Sequence, residues 1–411
     1  MTRNRILPWC SLLFIAAAAC SGGGRSPSSG GPLQPLEFGL TLEPLALPAP
    51  EGSAYPQLTS SPRGAVLSWL EQEEATTTLK FSERTSAGWS EATTVAAGDD
   101  WFVTSADVPS VLRLSNGTLV ANWYPTTDGL IEAYDTRISY SRDEGKSWAA
   151  PFSPHHDGTK TQHGFVSLLE LPDGGLGLVW LDGRDQELNT SDPLGGSMAL
   201  YFASFDRAWK ETAEQAVNAR VCECCQTAAV VTTDGVLAAF RDRSPEEVRD
   251  IHVSRLQSGA WTPARALHDD KWMIDACPIN GPALSARRRE VAAAWFTAPN
   301  DNGRAFAAFS HDGGSTWGEP IRLDDQGSLG HVDVELLEDG SAVASWVEFA
   351  NGRSQFKTRR VAPSGARSPA LDLPGAGRVS GYPRMTRWGN ELVFAWSDGD
   401  GGQQLKGAAA K

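Results

Sequence analysis

Sulfur is the first chemistry this chain offers. Outside its first 20 residues it holds four cysteines: Cys222, Cys224 and Cys225 in the stretch CECCQ, and Cys277 in CPINGP. Thiols exposed to an oxidising compartment pair into disulfides, whereas reduced thiolates gather soft metal ions. Two disulfides are expected, one tying Cys277 to the CECC segment, and the spacing does not say which cysteine is its partner. The alternative is a thiolate metal site supplemented by His163 or His331. C-x-C-C lacks the ligand spacing of a zinc ribbon, so the metal reading has no motif behind it, and no other cofactor is called for.

Charge is the second. The segments LDGRD (181–185) and RDRSPEEVRD (241–250) place Arg184, Arg241, Arg243, Arg249 and Asp250 in loop-like sequence. Asp275, Asn280, His331, Asp333 and Arg384 follow in comparable positions further along. If these groups share one face, they form a charged surface suited to an anionic ligand. Arginines and aspartates in loops also pair with one another or stay solvated, which is the plainer outcome. The formal net charge of −14 argues against nucleic acid or anionic lipid as a partner, since both need a basic footprint.

Residues 1–20, MTRNRILPWCSLLFIAAAAC, have basic residues, a short apolar run and a small-residue end, the layout of a secretion signal. The AAAC ending resembles the lipobox of bacterial lipoproteins, which implies lipidation of Cys20. The stretch 21–35, beginning SGGGRSPSSGGP, has the composition of a flexible tether. The expected protein is therefore anchored in the cell envelope by lipid alone, on the outer membrane, with residues 36–411 as one extracytoplasmic domain.

Repeats decide what positions these residues. Seven segments share an apolar strand, a Gly/Asp/Asn turn and a second apolar strand ending at Trp69, Trp123, Trp180, Phe240, Trp295, Trp346 or Trp396. The marks stand 50 to 60 residues apart, the length of a four-stranded sheet. An all-β propeller of four-stranded blades is expected, with seven blades favoured over six. After Trp396 the chain has room for a third strand only. LEFGLTLEPL (36–45) can supply the missing outer strand and close the ring. Cys222 and Cys277 each stand 18 residues before their marker aromatic, hence at equivalent places in adjacent blades.

SRDEGKSW (141–148) and SHDGGSTW (310–317) match the pattern S-x-D-x-G-x-x-W, with SERTSAGW (82–89), SRLQSGAW (254–261) and SFDRAW (204–209) as worn copies. On these octets the chain resembles the sialidase superfamily of Asp-box (BNR-repeat) β-propellers. In each octet the aspartate is expected to accept hydrogen bonds from turn amides, Gly145 or Gly314 to take positive φ, and Trp148 or Trp317 to bury between sheets. The hairpin so made falls on the face opposite the loops that carry charge. It is a fold device with no catalytic role.

The resemblance implies glycan chemistry on the other, top face. Sialidases hold the substrate carboxylate with three arginines and use a Tyr–Glu nucleophile with an Asp acid/base. Tyr382 and, as acids, Asp185 or Asp242 are the positions that could correspond. The early Arg-Ile-Pro signature of that family is missing, and seven blades depart from its six. The favoured reading is a propeller whose charged top face binds a glycan, another anionic small ligand or a protein. An exo-α-sialidase-type glycoside hydrolase and a thiolate metal-binding propeller are the alternatives.

Overall fold

The computed structural model describes residues 36–127, 133–186, 197–350, 352–399 and 404–411. The expected signal (1–20), the tether (21–35) and the lipidation site Cys20 lie outside the described residues.

Residues 36–411 form seven antiparallel sheets, six of them built from consecutive strands and the seventh closed by a strand from the start of the domain. The first strand of each blade lies nearest the axis: Ala54–Ser60, Ser110–Arg113, His163–Glu170, Ala228–Thr232, Ala283–Arg287, Ser328–Leu336 and Val379–Trp388 for blades 1 to 7. All seven line one polar axial cavity of about 440 Å³. Six and not seven blades would have left one of the aromatic marks without a sheet of its own. Each mark sits in the second strand of its blade and is at most 8 % exposed. Sheets that face one another across such a ring must fill the space between them, and these large side chains do so.

Blade 7 is completed as the sequence implies. Its third strand, Gln404–Ala410, pairs antiparallel with Leu42–Leu45, from Leu42 against Ala410 to Leu45 against Gly407. The ring thus closes without leaving an open edge on that sheet. Blades 1 and 4 split their outer strand into two short pieces, and blade 2 lacks one: Ser110–Arg113, Leu119–Trp123 and Arg137–Ser141 pair in order, and only a single bridge from Ile138 to Phe152 stands where a fourth strand would.

Both full octets fold alike. Asp143 accepts hydrogen bonds from the Ser141 hydroxyl (2.8 Å), the Ser147 amide (2.9 Å) and the Ser147 hydroxyl (2.6 Å). Asp312 does the same with Ser310 (2.8 Å) and with the amide (2.8 Å) and hydroxyl (2.7 Å) of Thr316. Gly145 and Gly314 both have φ of 83°, which only glycine adopts without strain. Trp148 and Trp317 are half-buried rather than fully enclosed, because each packs on the rim of a neighbouring core and not in its centre. Strand alternation puts both octets at the end opposite the starts of the inner strands.

At that start, the top, four inner strands are irregular. The ladders of blades 1, 3, 6 and 7 slip register there, and Tyr55 (φ 56°), Phe165 (φ 57°), His331 (φ 52°) and Gly381 (φ 67°) take left-handed conformations. Bulges of this kind re-aim side chains, and strained backbone collects at sites of use. Here they bend the strand tops around the axis.

Candidate functional site

The charged loop residues do gather on the top face, and most are held by one another. Arg184 makes hydrogen bonds to both oxygens of Asp182 (2.8 Å each) and to Glu214 (2.7 Å), with its guanidinium 3.8 Å from the centroid of the Tyr201 ring. Arg241 donates to the backbone carbonyls of Asn280 (2.9 Å), Phe296 (2.7 Å) and Arg249 (2.5 Å), binding blade 4 to blade 5. Arg243 pairs with Glu223 and Glu247, and Arg249 with Glu247 (2.8 Å) and Glu223 (3.2 Å). Asp250 accepts the amides of Lys271 (2.8 Å) and Trp272 (3.0 Å), and burial raises its pKa. Asp275 is exposed on the loop that leads to blade 5. Arg243 and Arg249 therefore share one network with Glu223 and Glu247, while Arg184 and Arg241 are held apart from it by their own partners.

The residues with the acid and nucleophile roles implied by the resemblance stand on three different blades. Asp185 is exposed after the second strand of blade 3. Asp242, on blade 4, accepts the Asn218 side-chain amide (2.7 Å), and burial raises its pKa. Tyr382, on blade 7, is buried; its hydroxyl donates to the Ile279 carbonyl and its ring stacks on His331, centroids 4.2 Å apart. His331 is pinned by Nδ1 to the Gly381 carbonyl (2.6 Å), and its amide donates to Asn280 Oδ1 (2.7 Å). Below them Asp333, Glu335, Arg384 and Arg387 line the axial cavity. Nε of Arg384 is buried there without a hydrogen-bond partner.

The cysteines are brought together as their equivalent positions demand. Cys224 and Cys277 form a disulfide that spans 53 residues and ties blade 4 to the loop entering blade 5. The second bridge expected among the four does not form: Cys222 and Cys225 are buried free thiols, 3.4 Å apart at sulfur. The reason is local, since three of the four sulfurs belong to a four-residue stretch and the least buried of them, Cys224, reaches Cys277. The Cys225 thiol bonded to it, with Arg249 (Nη1 to Sγ 3.3 Å) and Arg241 nearby, draws the Cys222 thiol down to about 7 against its burial. Burial pushes Cys225 up. His163 and His331, weighed as supplementary ligands to sulfur, have their nearest described partners elsewhere.

The arrangement that sequence reasoning missed lies between blades 2 and 3. The loop HHDGTKTQH (155–163) folds so that the rings of His155 and His163 stack in parallel, centroids 3.8 Å apart and 4° from coplanar. Asp157 and Asp135 flank the pair. Burial, then His163 beside it, lowers the pKa of His155 to about 4. Above the pair opens a recess of about 420 Å³ whose wall includes Thr127, Asp135, His155, Thr159 and the exposed Lys160. The available signal was two histidines eight positions apart with an aspartate between them, at the start of an inner strand.

Fold and site together define a closed seven-bladed propeller with a charged, internally paired top face. No family model matches the chain, and no curated protein matches it in sequence. Solved structures do match in fold. The polysaccharide lyase Uly1 superposes with a TM-score of 0.52 at 11 % identity, over 89 % of this chain and 90 % of that one. A protein of unknown function from Dyadobacter fermentans gives 0.50 at 15 % identity, over 88 % and 95 %. The NanB sialidase of Streptococcus pneumoniae, as its K499G mutant, gives 0.45 at 10 % identity, over 90 % and 94 %. At these identities the likeness is one of fold.

Proposed function

We propose that the protein is an extracytoplasmic propeller, lipid-anchored through Cys20, that binds glycans on its top face in the recess between blades 2 and 3. The observation that carries this reading is the recess itself: concave, with a largely apolar surface edged by polar side chains, of a size for one or two sugar rings, with the ammonium of Lys160 exposed at its rim. The carboxylate of Asp135 and the hydroxyl oxygens of Ser153 and Thr159, whose protons go to the Thr136 carbonyl and to Asp157, supply acceptors beside the Lys160 donor. The fold shared with Uly1, a polysaccharide lyase, supports a glycan ligand in kind. An acidic sugar is favoured, because Lys160 offers a cation that no ion pair among the described residues engages.

Sialidase-type hydrolysis is the weaker reading. It asks for three arginine heads around one carboxylate; here Arg243 and Arg249 are bound to the shared Glu223 and Glu247, and Arg184 and Arg241 to partners elsewhere. Thiolate metal binding keeps one point in its favour, the convergence of the Cys222, Cys224 and Cys225 sulfurs. It would require reduction of the Cys224–Cys277 bridge.

The test is a panel of immobilised neutral and uronic-acid oligosaccharides probed with the purified protein and with Lys160→Ala. Binding to acidic members, weakened about tenfold or more in Lys160→Ala, is expected. No binding across the panel, or binding indifferent to Lys160, would overturn the reading.

A further inference from the structure

The floor of the recess has a chemistry that its rim does not explain. His155 Nδ1 lies 3.1 Å from Asp157 Oδ2 in hydrogen-bond geometry, and His163 Nε2 lies 3.2 Å from the same oxygen, at an angle too poor for a hydrogen bond. Asp182 Oδ1 stands a further 3.8 Å from His163 Nε2. One carboxylate therefore faces both rings on one side and favours the tautomers with N–H at His155 Nδ1 and His163 Nε2.

On the other side the opposite nitrogens remain. His155 Nε2 and His163 Nδ1 are buried, and neither has a hydrogen-bond partner. Asp135 Oδ1 lies 3.8 Å from the first and 3.7 Å from the second. In the tautomers set by Asp157, two acceptor nitrogens and Asp135 Oδ1 lie within 4.8 Å of one another with no donor between them, while the other Asp135 oxygen pairs with Arg137 (3.2 Å). Buried acceptors left in this way are costly, and a cation satisfies all three together. Double protonation of the pair would also supply donors, but it would press two imidazolium rings face to face at 3.8 Å.

We propose that Asp135, His155 and His163 bind one divalent first-row cation of the zinc class, with Asp157 as the outer carboxylate that holds the His155 ring by a hydrogen bond and faces His163. Ligands at 2.0–2.2 Å from such an ion stand about 3.3 Å apart, so Asp135 Oδ1 and the two nitrogens need close by only a few tenths of an ångström, while the parallel rings must tilt out of their stack for both lone pairs to meet the ion. Two imidazoles and one carboxylate leave coordination positions open, as catalytic rather than structural zinc sites do. Asp135 and His155 also line the recess, so the open side faces it, and a water or a ligand oxygen can complete the sphere. The assignment rests on donor atoms alone and stands whether or not the recess takes a sugar.

Calorimetric titration of the chelator-stripped protein with Zn²⁺, and absorbance titration with Co²⁺, test it. One equivalent of Zn²⁺ is expected, with a Co²⁺ spectrum free of thiolate charge transfer. Asp135→Asn, at a side chain partly open to solvent, should lose binding at least 100-fold, and Asp157→Asn should weaken it about 10–100-fold. The Cys222→Ser/Cys225→Ser double variant should bind as the parent does. Circular dichroism of each variant confirms that the propeller is retained. No binding would leave the cluster a plain hydrogen-bonded ion pair and end the proposal. Binding that survives Asp135→Asn, falls further in Asp157→Asn than in Asp135→Asn, or depends on the cysteines would overturn the ligand assignment.

Discussion

Glu335 makes the axial cavity a source of pH dependence. It shares the axial face of its strand with Asp333, two residues earlier, and accepts one hydrogen bond from the Ser285 hydroxyl (3.0 Å). Burial, and then the neighbouring Asp333, push its carboxyl from 4.5 to about 8. The folded state thus holds this proton more tightly than the unfolded chain does. Its stabilising contribution is fully present below pH 4.5 and is lost as the pH rises through about 8. Asp333, raised by burial from 3.8 to about 6, acts with the same sign in an earlier window. Each tenfold change in proton affinity is worth ~1.4 kcal/mol, which sets a ceiling of ~5 kcal/mol for Glu335. The cavity is roomy and polar, so the ionised form is partly solvated and about 2 kcal/mol is the expected size. Glu335→Gln keeps the contact to Ser285 and removes the titration. Scanning calorimetry should find the variant about 3 °C more stable than the parent at pH 8.5, and no more stable at pH 4.5. An equal difference at both pH values, or a variant less stable at pH 8.5, would refute the account.

Two further outcomes follow from the staple and the boxes. Cys277→Ser releases a 53-residue loop and should cost about 4 kcal/mol in the chain-entropy model, seen as a melting temperature about 5 °C lower that matches the reduced parent. Asp312→Ala strips three acceptor contacts from a turn whose Thr316 amide and hydroxyl hold that carboxyl near 2 despite some burial. It should lower the melting temperature and leave glycan recognition on the opposite face unchanged, as parallel calorimetry and panel binding would show.

Much of the architecture is legible in the chain because a propeller repeats its physics. The marks from Trp69 to Trp396 recur where the second strand of each blade must fill the gap between sheets. The missing strand of blade 7 shows as a deficit at one end and an unclaimed strand, Leu42–Leu45, at the other. A further regularity was present and not used: Trp69, Trp180 and Trp346 each donate Nε1–H to an acidic residue two positions on, Glu71, Asp182 and Glu348. Position along the chain also placed Cys222 near Cys277. It did not choose Cys224 as the bridge, since neighbours one or two residues apart are equally near in sequence and differ only in side-chain direction. The partners of the arginines were hidden for a related reason. Glu214 and Glu223 lie outside the charged segments, and nothing in a sequence says that a loop arginine will turn inward to meet them.

The two faces of the ring differ in how their structure is written. An Asp-box closes on itself within eight residues, so its sequence and its geometry coincide, and it can be copied from blade to blade. The top face is assembled from separate segments that no repeat controls. The His–Asp cluster takes Asp135 from one loop, His155 and Asp157 from the next, His163 from an inner strand and Asp182 from the strand beside it. The thiol cluster draws on two blades in the same way. Between them runs a continuous chain of contacts. Asp107 accepts the Phe165 amide (2.8 Å), two residues beyond His163, and the adjacent Ala106 carbonyl accepts Nε2 of Gln226 (2.6 Å), which directly follows Cys225. The Oε1 of Gln226 then accepts the Gly281 amide (3.1 Å) at the entry to blade 5. Gln226 thus braces both clusters against the segment entering blade 2, and the geometry of each depends on strands from at least three blades. A face built in this way keeps its donors and acceptors in place only when the ring is closed, which gives the pairing of Leu42–Leu45 with Gln404–Ala410 a bearing on chemistry as well as on stability.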